Sequence, residues 1–368
     1  MNVDVLNRSG TQPAAASRLA IADCDIHPRA TSLKVLYPWL SRRWQEHLES
    51  FGVLFRQPWE KGPAYPKAQP QASRRDAWPP GGQPGSDLSF MAAQHLDPNN
   101  VTLGILNPLG SGQGAQNPDL SAVLTHAINE WQVAEWTSKD ARLKASVVVP
   151  YEDARASAKE IELRAGDPNF AQVLLLSRTA SPLGQRQYWP IYEAAEAAGL
   201  PVGIHAFGYG GSAITASGWP SYYLEEMVGH AQAQQAVTAS MILEGVFERF
   251  PKLKVVMIEG GVAWAAAFGW RMDAQFRKLG RELPHLRRLP SEYLRSNIWF
   301  TTQPIEEPEP RTQLAEVFDW IGWDRILFAT DYPHWDFDDP SHALPLKMTE
   351  SQRRKIFLEN ARAVFGVS

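Results

Sequence analysis

The sequence predicts a (β/α)8 barrel. Short Val/Ile/Leu-rich runs recur along the chain, helical stretches separate them, and ionisable residues stand at the ends of several runs instead of inside them. Strands with little polar alternation, each followed by a helix, build a parallel sheet covered on both faces. No Gly-x-Gly-x-x-Gly follows the first run, so an open dinucleotide-binding sheet lacks its usual support.

Residues 1–18 are small and polar and are expected to be flexible; residues 19–368 are expected to form one barrel domain. The first strand is expected at 19–24, running into Asp23-Cys24-Asp25-Ile26-His27. Strict alternation places Asp23, Asp25 and His27 on one face. Three ionisable groups there are costly to bury unless paired or metal-bound. Residues 33–55 read as helix. The stretch from Pro58 to Pro98 is dense in Pro and Gly and too long for an ordinary connection. Trp59, Trp78, Phe90 and the pair Arg74-Arg75 favour an ordered loop laid over a site, since a disordered tract carries fewer aromatics. The fold expected is therefore a barrel with a long Pro/Gly-rich insertion, about 28–100, after strand one.

The regular beat follows. Strands are expected at 101–106, 143–149, 170–176, 202–205, 253–258, 298–302 and 326–329. Helices are expected at 121–140, 151–165, 189–198, 222–250, 262–279, 311–321 and 350–364.

Composition narrows the function. The chain has 368 residues, 44% hydrophobic, enough to bury a large core. Its 36 basic and 40 acidic residues leave a net charge of −4, and the short basic runs read as solvated helix faces, so no nucleic-acid partner is expected. The single cysteine, Cys24, cannot form an intramolecular disulfide. No signal peptide and no long uncharged apolar run are read, so a cytoplasmic protein without membrane attachment is expected.

Strand one ends in Asp25-x-His27, strand five in His205, strand six in Glu259 and strand eight in Asp331. In a closed barrel these ends face one pocket. Each residue has an ordinary reading alone: a turn, a satisfied core imidazole, a cap. Together they describe a site for a divalent cation, where imidazole and carboxylate suit zinc and a carboxylate-rich set also suits manganese. His47, His95, His126, His230, His285 and His342 fall in expected helices or loops and are read as structural.

Asp23-Cys24-Asp25-Ile26-His27, the segment Gly245 to Val256 leading into strand six, and Thr330-Asp331-Tyr332-Pro333-His334 together resemble the amidohydrolase-related metal-dependent enzymes typified by amino-carboxymuconate-semialdehyde decarboxylase. The resemblance spans most of the chain from Asp23 onward. It implies a distorted (β/α)8 barrel, one divalent metal (zinc first, manganese second), a homodimer, and a small cyclic or conjugated acid as substrate. Carried over by position, it implies Asp25, His27, His205 and Asp331 as metal ligands. The family's strand-six His is Glu259 here, and an ionised carboxylate accepts a proton more readily than it donates one. The function expected is therefore a metal-dependent hydrolase of a small cyclic or conjugated acid, ester or amide, using a water activated by the cation. Asp331 takes the proton, Glu259 acts as second base and His334 orients substrate. The alternative is a non-oxidative decarboxylase, a carboxy-lyase, of an aromatic or conjugated acid. Arg74 and Arg75 are expected to bind a substrate carboxylate, and Trp264 and Trp335 to wall the pocket.

Overall fold

The computed structural model describes residues 19–56, 66–110, 112–211, 213–215 and 217–367. Residues 1–18, and Pro58 and Trp59 of the Pro-rich stretch, lie outside these described residues.

Eight parallel strands follow one another around a single sheet in chain order: β1 (Ile21–Ile26), β2 (Val101–Leu106), β3 (Leu143–Val148), β4 (Phe170–Arg178), β5 (Val202–Gly208), β6 (Val255–Ile258), β7 (Ile298–Thr301) and β8 (Ile326–Leu327). Helices fill the gaps: α1 (Arg42–Ser50) precedes β2, then α2 (Pro118–Gln132), α3 (Ala154–Arg164), α4 (Trp189–Ala198), α5 (Tyr223–Leu243), α6 (Trp264–Leu279), α7 (Thr312–Ile321) and α8 (Asn360–Phe365). This is a TIM barrel. The strands are buried along almost their whole length, as continuous apolar runs require when helices cover one face and the barrel interior the other.

Local chemistry sets the helix ends. Asn117 accepts from Leu120 N and Asp153 from Ala156 N, each satisfying an orphan amide of the first turn. Pro118 opens α2 at a position where its missing N–H costs nothing. Gly199 ends α4 at φ 70°, a conformation that penalises a Cβ.

The seam between β8 and β1 is irregular. Cys24 N donates to Phe328 O at 3.0 Å, Asp331 N to Asp25 O at 3.1 Å and His27 N to Tyr332 O at 2.8 Å, so backbone bonds beyond the β8 ladder bring the two ends together. β8 is shorter than the apolar run from Ile326 to Ala329 suggests. Phe328 N bonds Ile356 O in the C-terminal helical segment, and Ala329 N bonds the Thr302 hydroxyl, which takes both amides out of the ladder. β1 also departs from simple alternation. Its register against β2 slips between Asp23 and Ile26, and this separates Asp23 from its expected companions.

Candidate metal centre

Asp25 and His27 arrive from β1, His205 from β5 and Asp331 from the segment after β8. All four are buried, and each offers one ligand atom within 4.8 Å of the others. His27 Nε2 lies 2.8 Å from Asp331 Oδ1 and 3.2 Å from Asp25 Oδ1, and His205 Nε2 lies 3.4 Å from Asp25 Oδ2. The second atoms of both imidazoles are already engaged. His27 Nδ1 donates to Asn107 O at 2.7 Å and His205 Nδ1 to Ala206 O. Each ring is thus anchored through Nδ1 and turns Nε2 inward, where on giving up its proton it would present the lone pair of a metal-ligating histidine. Among the described residues Asp25 Oδ2 and His205 Nε2 are buried without a hydrogen bond, two facing polar atoms that a cation would satisfy. The donor set therefore fits a divalent metal.

A polar layer beneath the cluster supports it. Asn107 Nδ2 donates to Asp25 Oδ1 at 2.9 Å, while Asn107 Oδ1 accepts from Ser146 at 2.7 Å and from Gln172 at 2.9 Å. Asp23 is not a ligand. Its carboxylate accepts from His95 Nε2 at 2.7 Å and from the amide and hydroxyl of Thr330, so it ties the β1 end to the β8 end and corrects the expectation that it shares a face with Asp25. His95, stacked on Tyr332 at 4.9 Å, serves that tie, in keeping with its structural reading.

Glu259 and Asp331 both sit in the left-handed region, at φ 57° and 63°. Such conformations cost of order 1–3 kcal/mol in non-glycine residues and cluster at functional sites. Glu259 Oε2 comes within 2.9 Å of His205 Nε2 without hydrogen-bond geometry, and Glu259 N donates to Thr301 Oγ1.

The amidohydrolase family model matches residues 22–367. The chain belongs to the amidohydrolase family. It is 26% identical over 254 residues to the gamma-resorcylate decarboxylase of Polaromonas sp. strain JS666, covering 65% of this chain and 75% of that one. Among solved structures, an amidohydrolase from Mycobacterium avium subsp. paratuberculosis K-10 superposes with a TM-score of 0.72 at 24% identity, covering 96% of this chain and 99% of that one. A dihydroxybenzoic acid decarboxylase from Polaromonas sp. JS666, solved with manganese and the inhibitor 2-nitroresorcinol, superposes with a TM-score of 0.65 at 17% identity, covering 95% of this chain and 97% of that one. These two structures share the barrel fold.

The remaining expected site residues of this amidohydrolase fall in different surroundings. His334 Nδ1 lies 2.6 Å from Asp331 Oδ1, and its ring stacks on His27 at 4.4 Å. Arg74 is paired with Asp76 at 2.6 Å and lies over Phe337, while its amide bonds Pro333 O. Arg75 is exposed. Trp264 donates to the carbonyls of Gly260 and Gly261 and packs edge-on against Phe300, and Trp335 is 40% exposed beside Tyr223. A cavity of about 40 Å³ opens beside His27 and His334. Ser73 and Pro84, from the described part of the Pro-rich stretch, wall it with Leu109 and Pro333.

Charge follows from these contacts. Burial opposes a charge on His205, but Asp25 and then Glu259 outweigh it and raise the pKa to about 10. Burial, then the charge of Glu259, pushes Asp331 well above the carboxylate range. Asp336 rises to about 8 through burial and then the charges of Asp331 and Glu259. Glu259 goes the other way: His205 overcomes its burial and keeps it ionised. Sequence reasoning missed Asn107, Gln172 and Asp336. The first two carry no motif. Asp336 lies two residues past the His334 that was singled out, and only its position against Asp331 marks it.

Proposed function

We propose that the protein is a metal-dependent, non-oxidative decarboxylase of a small aromatic or conjugated acid. The observation that carries this reading is the buried cluster of Asp25, His27, His205 and Asp331, joined to a second acid group, Glu259, Asp331 and Asp336, whose ligand atoms also lie within 4.8 Å of one another. The likeness to decarboxylases of dihydroxybenzoates supports it. It replaces the hydrolase expectation as the leading reading.

The four ligands would hold the cation, manganese ahead of zinc because two carboxylates share the set and the similar decarboxylase was solved with manganese. When bound, the cation supplies positive charge to oxygens of the substrate. The chain's own residues handle the proton. Three crowded carboxylates resist ionising together. Glu259 stays charged, and Asp336, which is not among the four ligands, holds a proton near neutral pH. In the reaction the bond from ring carbon to carboxylate breaks and CO2 leaves. The electron pair remains on the ring carbon, which takes that proton. His334, bonded to Asp331, holds that ligand carboxylate in place.

A second reading, hydrolysis, rests on Glu259 as an ionised base beside His205. The two separate in one experiment. Purified protein is offered 2,6-dihydroxybenzoate, related aromatic acids, and cyclic esters and amides, with CO2 release and water addition followed together. Decarboxylation predicts CO2 release that chelators abolish and that Glu259→Gln retains to within about tenfold. Hydrolysis predicts water addition and a loss of about 10²–10⁴ in kcat for Glu259→Gln, the usual effect of removing a general base. Water addition without CO2 from any acid would overturn the decarboxylase reading.

A further inference from the structure

A second cavity lies outside the metal centre. It holds about 400 Å³, a volume typical of small-ligand pockets, and shares no residue with the metal cluster or with the small cavity beside His27. Its walls come from the segments that follow β2, β3 and β4, where α2, α3 and α4 begin. Pro118 opens α2, Asp153, Ala154 and Arg155 are the cap and first residues of α3, and Pro190 is the second residue of α4. The positive ends of three helix dipoles thus meet at one cavity. In α3 the cap Asp153 takes the Ala156 amide at 3.0 Å, and the amides of Ala154 and Arg155 donate to no group among the described residues.

Three arginines from separate segments line this cavity: Arg56, Arg155 and Arg186. None of them is in an ion pair among the described residues, whereas Arg164, at the other end of α3, holds Glu130 at 2.7 Å and Glu160 at 2.9 Å. Arg56 is half-buried, and its backbone is fixed: Arg56 N donates to Gly114 O at 2.9 Å, and Phe55 bridges Ala115. Arg186 lies over the Trp189 ring at 5.5 Å. Two acids line the cavity as well. Glu152 is already engaged by the Ala180 amide at 2.7 Å and the Tyr188 hydroxyl at 3.1 Å, and Asp153 has one oxygen on Ala156. Positive charge remains in excess. Gln113, only 2% exposed, completes the lining. Its Nε2 donates to Leu174 O at 3.0 Å and Val149 O at 3.3 Å, which fixes the orientation of the amide. Its Oε1 has no partner among the described residues and is the polar end of the side chain left for a ligand. A cationic cavity with an unpaired buried acceptor suits a ligand that brings donors as well as negative charge.

We propose that this cavity is a second ligand site, for a phosphorylated polyhydroxy compound of the sugar phosphate class. The phosphate takes the free amides at the start of α3 together with the guanidinium groups, as anions do at helix N-termini. The hydroxyls donate to Gln113 Oε1 and to the unused oxygen of Asp153. A plain anion would leave those acceptors unpaired, and a neutral sugar would leave the arginines without a counter-charge. The site stands apart from the metal ligands, so it does not depend on the decarboxylase reading.

The test uses ribose 5-phosphate, methyl phosphate and ribose as probes, with binding to the full-length purified protein measured by calorimetric titration. Ribose 5-phosphate should bind at least about tenfold more tightly than either of the others, because only it carries both the phosphate and the hydroxyls. Arg56→Gln should weaken it by roughly 10- to 100-fold, the range for a hydrogen bond to a charged group. Arg155→Gln, at an exposed position in the first turn of α3, should weaken it less and carries the test if Arg56→Gln fails to fold, which circular dichroism checks. Phosphates also bind metal ions, so the titration is repeated on protein stripped of metal and dialysed, where the affinity for ribose 5-phosphate should be unchanged. Binding that disappears with the metal, no preference for ribose 5-phosphate over methyl phosphate and ribose, or folded arginine variants that bind like wild type would overturn the proposal.

Discussion

Two groups of side chains share the mouth of this barrel, and Asp331 belongs to both. In the first, two carboxylates meet two imidazoles. In the second, Glu259, Asp331 and Asp336 meet each other. Asp336 is less deeply buried than Asp25, yet the outcome is the reverse of what depth alone predicts. Asp25, between His27 and His205, is held far below the usual carboxylate range although burial works against it. Asp336, facing Asp331 and Glu259, is pushed up to about 8. Neighbouring charge, more than depth, decides which acids ionise. The first group has the donors a cation needs, and in the second the crowding of acids favours a bound proton.

The comparison breaks most visibly at the ligands. His205→Ala removes one of two imidazoles, and the protein should fall from about one metal per chain to a small fraction of that, with activity lost and the large core still folded. Elemental analysis and circular dichroism check this together. Unchanged metal content would remove His205 from the seat.

The layer beneath the seat should matter less. Asn107→Ala leaves all four ligands but removes the amide that orients Asp25 and joins it to Ser146 and Gln172. Outer partners of this kind typically cost about 10–100-fold in metal affinity. Competition with a chelator of known affinity measures it.

Protons and metal should compete, with a defined sign. In the metal-free protein His205 titrates near 10, above its ordinary 6.5, and Asp336 near 8, above 3.8. Groups with raised native values add stability when protonated and lose that contribution as pH climbs through those values. Chelated protein should therefore lose stability through about pH 3.8–8 for Asp336 and about pH 6.5–10 for His205, with the steepest fall in melting temperature between about 6.5 and 8, where the two windows overlap. Added metal should flatten that decline, and its affinity should rise with pH because binding displaces protons. Melting curves with and without chelator read both.

The smallest effect is expected at Asp336→Asn at low pH. Below about pH 4 the side chain carries a proton in the folded and the unfolded chain alike, so the amide should change the melting temperature little. As pH rises from about 4 to about 8 only the unfolded wild-type chain gains by ionising, so the variant should melt increasingly higher than wild type, and the difference should level off above about 8. A loss of stability at pH 6 would show that Asp336 holds a structural contact instead.

Much of this was legible in the chain itself. Period and composition placed all eight strands, since an apolar run between turn signals does not depend on distant partners. The same local logic marked Asp25, His27, His205, Glu259 and Asp331, because a polar residue at the end of a buried strand is conspicuous by position alone. Alternation failed at Asp23, where a slip in the β1–β2 register, invisible in β1 by itself, moved the carboxylate to His95 and Thr330. Asn107 and Gln172 could not be singled out. Each looks like an ordinary polar residue in its own segment, and its role comes from what strand closure sets beside it. The sequence by itself determined the barrel and the residues at its rim, because both follow from local patterns. Only the tertiary structure decided which of those residues come within reach of one cation and which acids crowd one another. Those are distances between groups as far apart in sequence as Asp25 and Asp331, set by how the sheet closes.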